Sequence, residues 1–150
     1  MPEAWRIVKE RHAATAFNGA GAARTGGRWN SRGVPVVYTS QSQALAALES
    51  LVHLNPPVLF KYVAFRLTFP DAVVEEFRKL PPDWQAEPPP PSTKAIGDLW
   101  VREARSAILV LPSVIIPAET NFLLNPAHPD FAKIKLGKPR PFAFDPRLLG

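Results

Sequence analysis

Cysteine is missing from this chain of 150 residues. Its absence excludes disulfide bonds, thiolate nucleophiles and thiolate-based zinc sites, and it fits a reducing compartment. The longest uncharged apolar stretch, residues 107–118, is broken by two prolines and is too short to span a bilayer. Residues 1–6 lack the apolar stretch of a signal peptide. We therefore expect a soluble, cytoplasmic protein without a membrane partner.

Several catalytic motifs are also missing. His12, His53 and His128 do not have the spacing of metal ligands, so we expect no metal site. The sequence contains no G-x-S-x-G nucleophile turn, no Walker loop, and no G-x-G-x-x-G that opens a helix after a strand. Any chemistry must therefore rest on side chains outside these motifs.

Proline, by contrast, is abundant, with 18 residues in 150. That is more than twice the usual share of about 5%. Six of the prolines fall between Pro81 and Pro91, and the others are scattered in ones and twos. The sequence therefore predicts one irregular loop at residues 81–92 and short elements elsewhere.

Hydrophobic periodicity predicts an α+β fold in a single compact domain over residues 1–150. Residues 17–32, rich in glycine, are expected to form a loop. Residues 114–116 are expected to continue a strand past a bulge. Short β-branched and aromatic runs predict strands at 5–9, 34–39, 58–69, 107–111, 133–136 and 142–144.

Helices are predicted at residues 42–54, 72–79 and 92–105. For the first, Ser40 and Gln43 have the spacing of a capping box, and the prolines of residues 55–57 end the helix. Ser92 or Thr93 is expected to cap the last one. Because the order is not a regular strand–helix alternation, a doubly wound sheet is not indicated.

The net charge of +5 is unevenly distributed. Residues 1–33 hold six Lys and Arg against two acids, and residues 131–150 hold five against one. The middle of the chain is acidic. Basic ends are compatible with a nucleic acid, an acidic protein or an anionic small ligand, and charge alone leaves these three partners open.

Three segments contain candidate functional residues. Gly26 and Gly27 permit a tight turn before Arg28, whose guanidinium suits a phosphate, although a solvated arginine on a flexible turn fits the same pattern. Glu49 lies at the edge of the apolar arc of its predicted helix, as a catalytic carboxylate or as the partner of a nearby arginine. Ser113 follows a buried strand and is either a hydroxyl facing a cleft or a turn residue.

Taken together, these segments resemble the RES-domain family, the toxin component of bacterial RES/Xre-type toxin–antitoxin systems. The family is named for an arginine, a glutamate and a serine. Trp5-Arg6 resembles the opening of the family, and Trp100 stands where a tryptophan is expected before the serine strand. The matching segments are GAGAARTGGRWNSRGVPVVYTSQSQALAALESLVHL, residues 19–54, and LVLPSVIIPAETNFLLNPAHPDF, residues 109–131.

The resemblance implies a fold like that of the ADP-ribosyltransferase toxins and a reaction on NAD. NAD is then the substrate and not a bound cofactor. The bond between nicotinamide and ribose is broken, and the acceptor is water, inorganic phosphate or a protein side chain. The catalytic residues implied are Arg28, Glu49 and Ser113, and those implied to bind NAD are Arg6, Tyr38 and Asn121.

These residue types suit that chemistry. A carboxylate at Glu49 stabilises the oxocarbenium-like ribose, and Arg28 with Arg6 clamps the pyrophosphate. Tyr38 offers a ring for stacking. The remaining two, Ser113 and Asn121, can donate hydrogen bonds to ribose hydroxyls or to the carboxamide.

The resemblance also implies a cognate antitoxin that blocks the active site and itself binds DNA, so direct nucleic-acid binding by this chain is not expected. A homodimer or a higher toxin–antitoxin assembly is compatible with it. Two alternatives remain: a basic protein that binds or cleaves RNA, and a catalytically silent module that only binds an antitoxin. The proline-rich loop and the basic C-terminal segment stay without an assigned role.

Overall fold

The computed structural model describes residues 2–54 and 60–149. Within these residues no helix is long and apolar enough to cross a membrane. The three α-helices of this part of the chain are α1 (Ala20–Thr25), α2 (Gln43–Leu51) and α3 (Pro91–Arg102). Its eight strands are β1 (Glu3–Lys9), β2 (Val37–Ser40), β3 (Tyr62–Thr68), β4 (Val74–Glu76), β5 (Ile108–Pro112), β6 (Thr120–Leu124), β7 (Lys135–Leu136) and β8 (Arg140–Phe142).

The strands form one mixed sheet in the order β4-β5-β6-β2-β1-β3-β7, and β8 also pairs with β3. Every pairing is antiparallel except that of β4 with β5. The predicted α+β class, with short strands and few helices, is confirmed. In this order β2 lies between β1 and β6, so the strands that carry Arg6, Tyr38 and Asn121 are neighbours.

Apolar side chains from the sheet pack into clusters beneath the helices. Leu109, Leu111 and Leu123 lie with Trp100 of α3 and with Trp29 in one cluster. Each fully buried side chain of this size contributes about 1.5–3 kcal/mol through the hydrophobic effect. This packing fixes the turn around Trp29 against α3 and the sheet. A cluster under α2 includes Ile7, Ala46, Tyr62 and Phe144.

The predicted helix 42–54 is present, but its cap differs from the expectation. The side chain of Ser42 accepts a hydrogen bond from the backbone N–H of Leu45 at 3.0 Å, and the helix runs from Gln43 to Leu51. Ser40 is instead the last residue of β2. The capping-box spacing selected Ser40 because Gln43 stands three residues after it, whereas the true cap, Ser42, has Leu45 at that position. The predicted stop at residues 55–57, and the start of the strand predicted at 58–69, lie outside the described residues.

Other boundaries also differ. The prediction of a helix at 72–79 is wrong: a short 3-10 turn leads into β4, which pairs with the buried strand β5. Here tertiary pairing overrides local propensity. The predicted loop 17–32 contains the short helix α1. The last predicted helix begins at Pro91 rather than at Ser92 or Thr93 and ends at Arg102.

The segment after β5 also departs from the prediction. Residues 114–116 do not continue the strand; residues 113–119 turn back, and the backbone N–H of Ser113 donates to the carbonyl of Glu119 at 2.9 Å. The chain then returns as β6, which the sequence analysis missed. Because β5 and β6 pair along their full length, Leu111 lies opposite Asn121. The turn thus holds Ser113 and Asn121 at one end of the hairpin.

Candidate active site

A cavity of about 660 Å³ opens beside the central strands. Its volume lies within the range of small-molecule sites in proteins. Five of the six predicted site residues line it, and the sixth, Ser113, lies behind Glu49. The five are Arg6, Arg28, Tyr38, Glu49 and Asn121.

Glu49 projects from α2 towards the hairpin of β5 and β6. Its Oε2 accepts a hydrogen bond from Ser113 Oγ at 2.9 Å and a second, short one from Asn121 Nδ2. Among the described residues, no Lys, Arg or His forms a salt bridge with Glu49. The ion-pair alternative is therefore not observed. Two neutral donors orient the carboxylate and leave its negative charge in the cavity.

Ser113 is fully buried. Its Oγ donates to Glu49 and accepts from the backbone N–H groups of Ile115 and Ile116 at 3.2 and 3.1 Å. Ser113 does not line the cavity, so a direct contact between this hydroxyl and a ligand stays a prediction. Ser113 joins the turn after β5 to the carboxylate, and it acts on the cavity through Glu49.

Asn121 is oriented from its other side. Ser40 Oγ donates to Asn121 Oδ1 at 2.8 Å, which directs the Asn121 amide nitrogen towards Glu49. Sequence reasoning missed this role of Ser40 because it assigned that serine to a helix cap. No local pattern points to it, since the contact spans 81 residues of chain.

Arg6 lies in the wall of the cavity with most of its guanidinium inside the protein. Its Nε donates to the Ala16 carbonyl at 2.7 Å and its Nη1 to the Tyr38 carbonyl at 2.9 Å. Burial lowers the pKa of Arg6 to about 10, so the group stays cationic at neutral pH. Within the described chain it has no carboxylate partner.

Tyr38 contributes its ring to the cavity, whereas its hydroxyl is engaged in the wall. The hydroxyl donates to Asn30 Oδ1 at 2.6 Å and accepts from the backbone N–H of Trp29 at 3.0 Å. Burial raises the pKa of Tyr38 above its ordinary value. A Cβ at Gly27 would lie 2.5 Å from the Tyr38 hydroxyl oxygen. The second glycine of the turn therefore allows this close approach.

Arg28 is held by the proline-rich loop and is not the solvated arginine considered above. Its Nη1 donates to the carbonyls of Trp84 and Ala86 at 3.0 and 2.7 Å, and its Nη2 lies 2.5 Å from Glu87 Oε2. Only 12% of the Arg28 side chain is exposed. Glu87, which also lines the cavity, was missed because the contact joins segments 59 residues apart.

Helix α3 also holds the turn that contains Gly27 and Arg28. Thr93 Oγ1 donates to the carbonyl of Arg28 at 2.7 Å, and Lys94 Nζ donates to that of Gly27 at 2.6 Å. A Cβ at Gly97 would lie 1.7 Å from the Trp29 carbonyl oxygen, so the turn and the helix backbone are in direct contact. The position of Arg28 is therefore set by a helix as well as by the loop.

The cavity thus combines the Glu49 carboxylate, which neutral donors hold, with two guanidinium groups, and one of these, that of Arg28, is paired with Glu87. This arrangement suits a ligand that develops positive charge at one point and carries anionic groups at another. In residues 2–54 and 60–149 no group of three or more His, Asp or Glu side chains is placed to hold a metal ion.

Comparison with known families decides the assignment. The model of the RES domain matches residues 3–145. The chain belongs to the RES domain family. This RES domain is 43% identical to a Prs ADP-ribosylating toxin of Sphingobium sp. (strain YBL2), with 97% of this chain and 95% of that protein covered. It is 37% identical to a Toxin Res of Yersinia enterocolitica, with 96% and 97% covered.

Among solved structures, this RES domain is similar to a chain of the M. tuberculosis MbcT–MbcA toxin–antitoxin complex. The TM-score is 0.76 and the sequence identity is 15%. The match covers 94% of this chain and 84% of that chain. At this identity the likeness concerns the fold.

Proposed function

We propose that this RES domain is the toxin of a toxin–antitoxin pair and that it consumes NAD by cleaving the nicotinamide–ribose bond. The observation that carries the proposal is the Glu49 carboxylate, which two neutral donors hold in a cavity that also contains Arg6 and Arg28. The similarity to an ADP-ribosylating toxin over nearly the full length of both chains supports it.

Glu49 is the residue that acts on the reacting sugar. Nicotinamide leaves a cationic N-glycosidic bond as a neutral base, so the leaving group needs no general acid. The barrier lies in the oxocarbenium-like ribose, and a fixed carboxylate lowers it electrostatically. Because both donors bind Oε2, the other carboxylate oxygen is left to face the ribose and then to orient the acceptor.

The guanidinium groups bind the opposite end of the substrate. Arg28 is suited to the pyrophosphate, since a planar guanidinium can donate two parallel hydrogen bonds to a phosphate. Arg6, whose Nε and Nη1 already donate to backbone carbonyls, adds a second positive charge to the cavity. The ring of Tyr38 provides a surface for nicotinamide or ribose, while its hydroxyl keeps the Trp29–Asn30 turn in place. Substrate binding and the chemical step are thereby assigned to different residues.

The acceptor is water, inorganic phosphate or a protein side chain. Incubation of the purified chain with NAD should release nicotinamide in at least one of three arms: buffer alone, buffer with phosphate, and cell lysate with NAD labelled in the adenosine part. Free ADP-ribose, a phosphorylated ADP-ribose or labelled protein identifies the acceptor. No nicotinamide and no labelled protein in any arm would refute the proposed function.

The proposed partner is a cognate antitoxin that covers this cavity and carries the DNA-binding function of the pair. The structural similarity to a chain of a toxin–antitoxin complex supports such a partner. Expression of the chain alone should arrest growth, and co-expression of the antitoxin should relieve the arrest. Harmless expression of folded protein would contradict an active toxin.

A further inference from the structure

The guanidinium of Arg28 is surrounded by acceptors from one loop. Two backbone carbonyls occupy Nη1, and the carboxylate of Glu87 occupies Nη2 at 2.5 Å. A phosphate that binds the guanidinium through two parallel hydrogen bonds needs one of its edges. Since Nη1 is already engaged, the edge left for a phosphate is Nε with Nη2, where Glu87 lies.

The two kinds of contact differ in how easily they can be broken. Glu87 is 71% exposed, so its carboxylate can return to water at little cost, whereas the Arg28 side chain is only 12% exposed. The carbonyls of Trp84 and Ala86 belong to a loop that is tied down. Ser92 Oγ contacts Asp83 Oδ1 at 2.5 Å, and Trp84 packs against the cluster beneath α3.

The prolines next to Glu87 explain why the backbone of this loop cannot bind an anion in place of Arg28. Residues 88–91 are four consecutive prolines, and proline has no backbone N–H. The segment next to Glu87 therefore presents acceptors and no backbone donors. It can orient a guanidinium, but it offers no hydrogen bond to a phosphate.

We propose that Glu87 occupies the position on Arg28 that a phosphate of the substrate would take, and that the substrate displaces it, so that Glu87 sets the affinity for anionic ligands. This inference rests on the proposed function. The carbonyls of the loop keep Arg28 in place while Glu87 exchanges with the ligand. The proline-rich loop then has a role, which is to orient the arginine and to restrict access to it.

Ligand binding tests the inference without turnover. Inorganic pyrophosphate and ADP-ribose are titrated calorimetrically into the wild type, Glu87→Gln and the control Glu76→Gln. Glu76 is also exposed and paired with an arginine, Arg78, at 2.6 Å, and it does not line the cavity. We expect Glu87→Gln to bind both probes about three- to fivefold more tightly, and Glu76→Gln to match the wild type. Equal or weaker binding by Glu87→Gln overturns the inference.

A double-mutant cycle separates displacement from general repulsion between charges. If Glu87 competes for Arg28, the gain from Glu87→Gln disappears in an Arg28→Ala background. If the gain persists there, Glu87 repels anions through space and the proposed exchange is wrong. Binding of neither probe to any variant at millimolar concentration also overturns it.

Nicotinamide release, measured on the same samples, tells the two proposals apart. Release by the wild type without the affinity change leaves the proposed function standing and removes the role of Glu87. The affinity change without release in any variant leaves an anion site governed by Glu87 and removes the NAD reaction.

Discussion

Glu49 and Arg28 both line the cavity, and they are held in different ways. Glu49 is fixed by side chains from β6 and from the turn after β5, and one of these, Ser113, is fully buried. Arg28 is fixed by the proline-rich loop and by α3, and its guanidinium is paired with the exposed Glu87. The first arrangement is preorganised by the sheet, whereas the second includes a contact that water can replace.

This difference matches the demands of the two tasks. Stabilising charge in a transition state requires groups that do not reorganise during the reaction, so a rigid carboxylate is favourable there. Binding and releasing a substrate requires contacts that can be exchanged. Substitutions at the Glu49 end should therefore change kcat, and those at the Arg28 end should change KM.

The largest effect is expected for Glu49→Gln. The amide keeps the size of the side chain but removes the charge that stabilises the oxocarbenium-like ribose. Nicotinamide release should fall by about 10²–10³. Glu119→Gln, in the nearby turn but outside the cavity wall, serves as the control and should retain activity. Near-normal turnover by a folded Glu49→Gln protein would remove Glu49 from the mechanism.

Ser113→Ala should lower kcat about tenfold with little change in KM. A hydrogen bond to a charged group contributes roughly 1.5–3 kcal/mol, and its loss leaves Glu49 free to reorient. The matched control is Ser106→Ala. Ser106 Oγ accepts a hydrogen bond from Trp100 Nε1 at 2.8 Å, and Ser106 does not line the cavity. That variant should lose stability in urea but keep kcat. A rise in KM alone for Ser113→Ala would place the serine at the binding end instead.

Arg28→Lys should raise KM about fivefold while kcat changes less. Lysine retains the charge but cannot hold two carbonyls and a phosphate in one plane, and about 1 kcal/mol of binding is expected to be lost. Steady-state kinetics with NAD measure the split, and Arg24→Lys on α1 is the control. If kcat falls by more than KM rises, Arg28 belongs with the chemical step and the two ends are not separate.

The smallest effect is expected for Ser40→Ala, a two- to threefold decrease in kcat. Ser40 acts through Asn121, so its removal loosens an amide that still contacts Glu49, at a cost of roughly 0.5 kcal/mol. Gln41→Ala is the comparison, because Gln41 accepts from the Thr120 backbone and does not contact Asn121. Equal decreases in both variants would trace the effect to the strand and not to the amide.

Local sequence patterns pointed to those cavity-lining residues whose signal lies within one short segment of the chain. Glu49 at the edge of an apolar helical arc, and the two glycines before Arg28, are features of ten or twenty residues. The identity of the chain and the roles of Tyr38 and Asn121 came from the resemblance of two long segments. These signals are carried by residues near one another in the chain.

The remaining parts depend on pairings that the chain makes over long distances. The contact of Arg28 with Glu87 and that of Ser40 with Asn121 have no signature in either segment. The strand β4 was taken for a helix because its pairing with β5 decides its conformation. The strand β6 was not predicted because it begins with polar residues. Its pairing with β5 explains why Ser113 and Asn121 both reach the Glu49 carboxylate.

Arg6 links occupancy of the cavity to the stability of the fold. Its guanidinium is desolvated, and in the described part of the chain only carbonyl dipoles compensate its charge. A buried charge without a counter-ion raises the free energy of the folded state. An anionic ligand that reaches Arg6 removes this penalty. Because such a ligand binds only the folded state, its binding raises the free energy of unfolding. The melting temperature of the protein should therefore rise with pyrophosphate, and Arg6→Met should reduce that rise, leaving the part that comes from binding to Arg28.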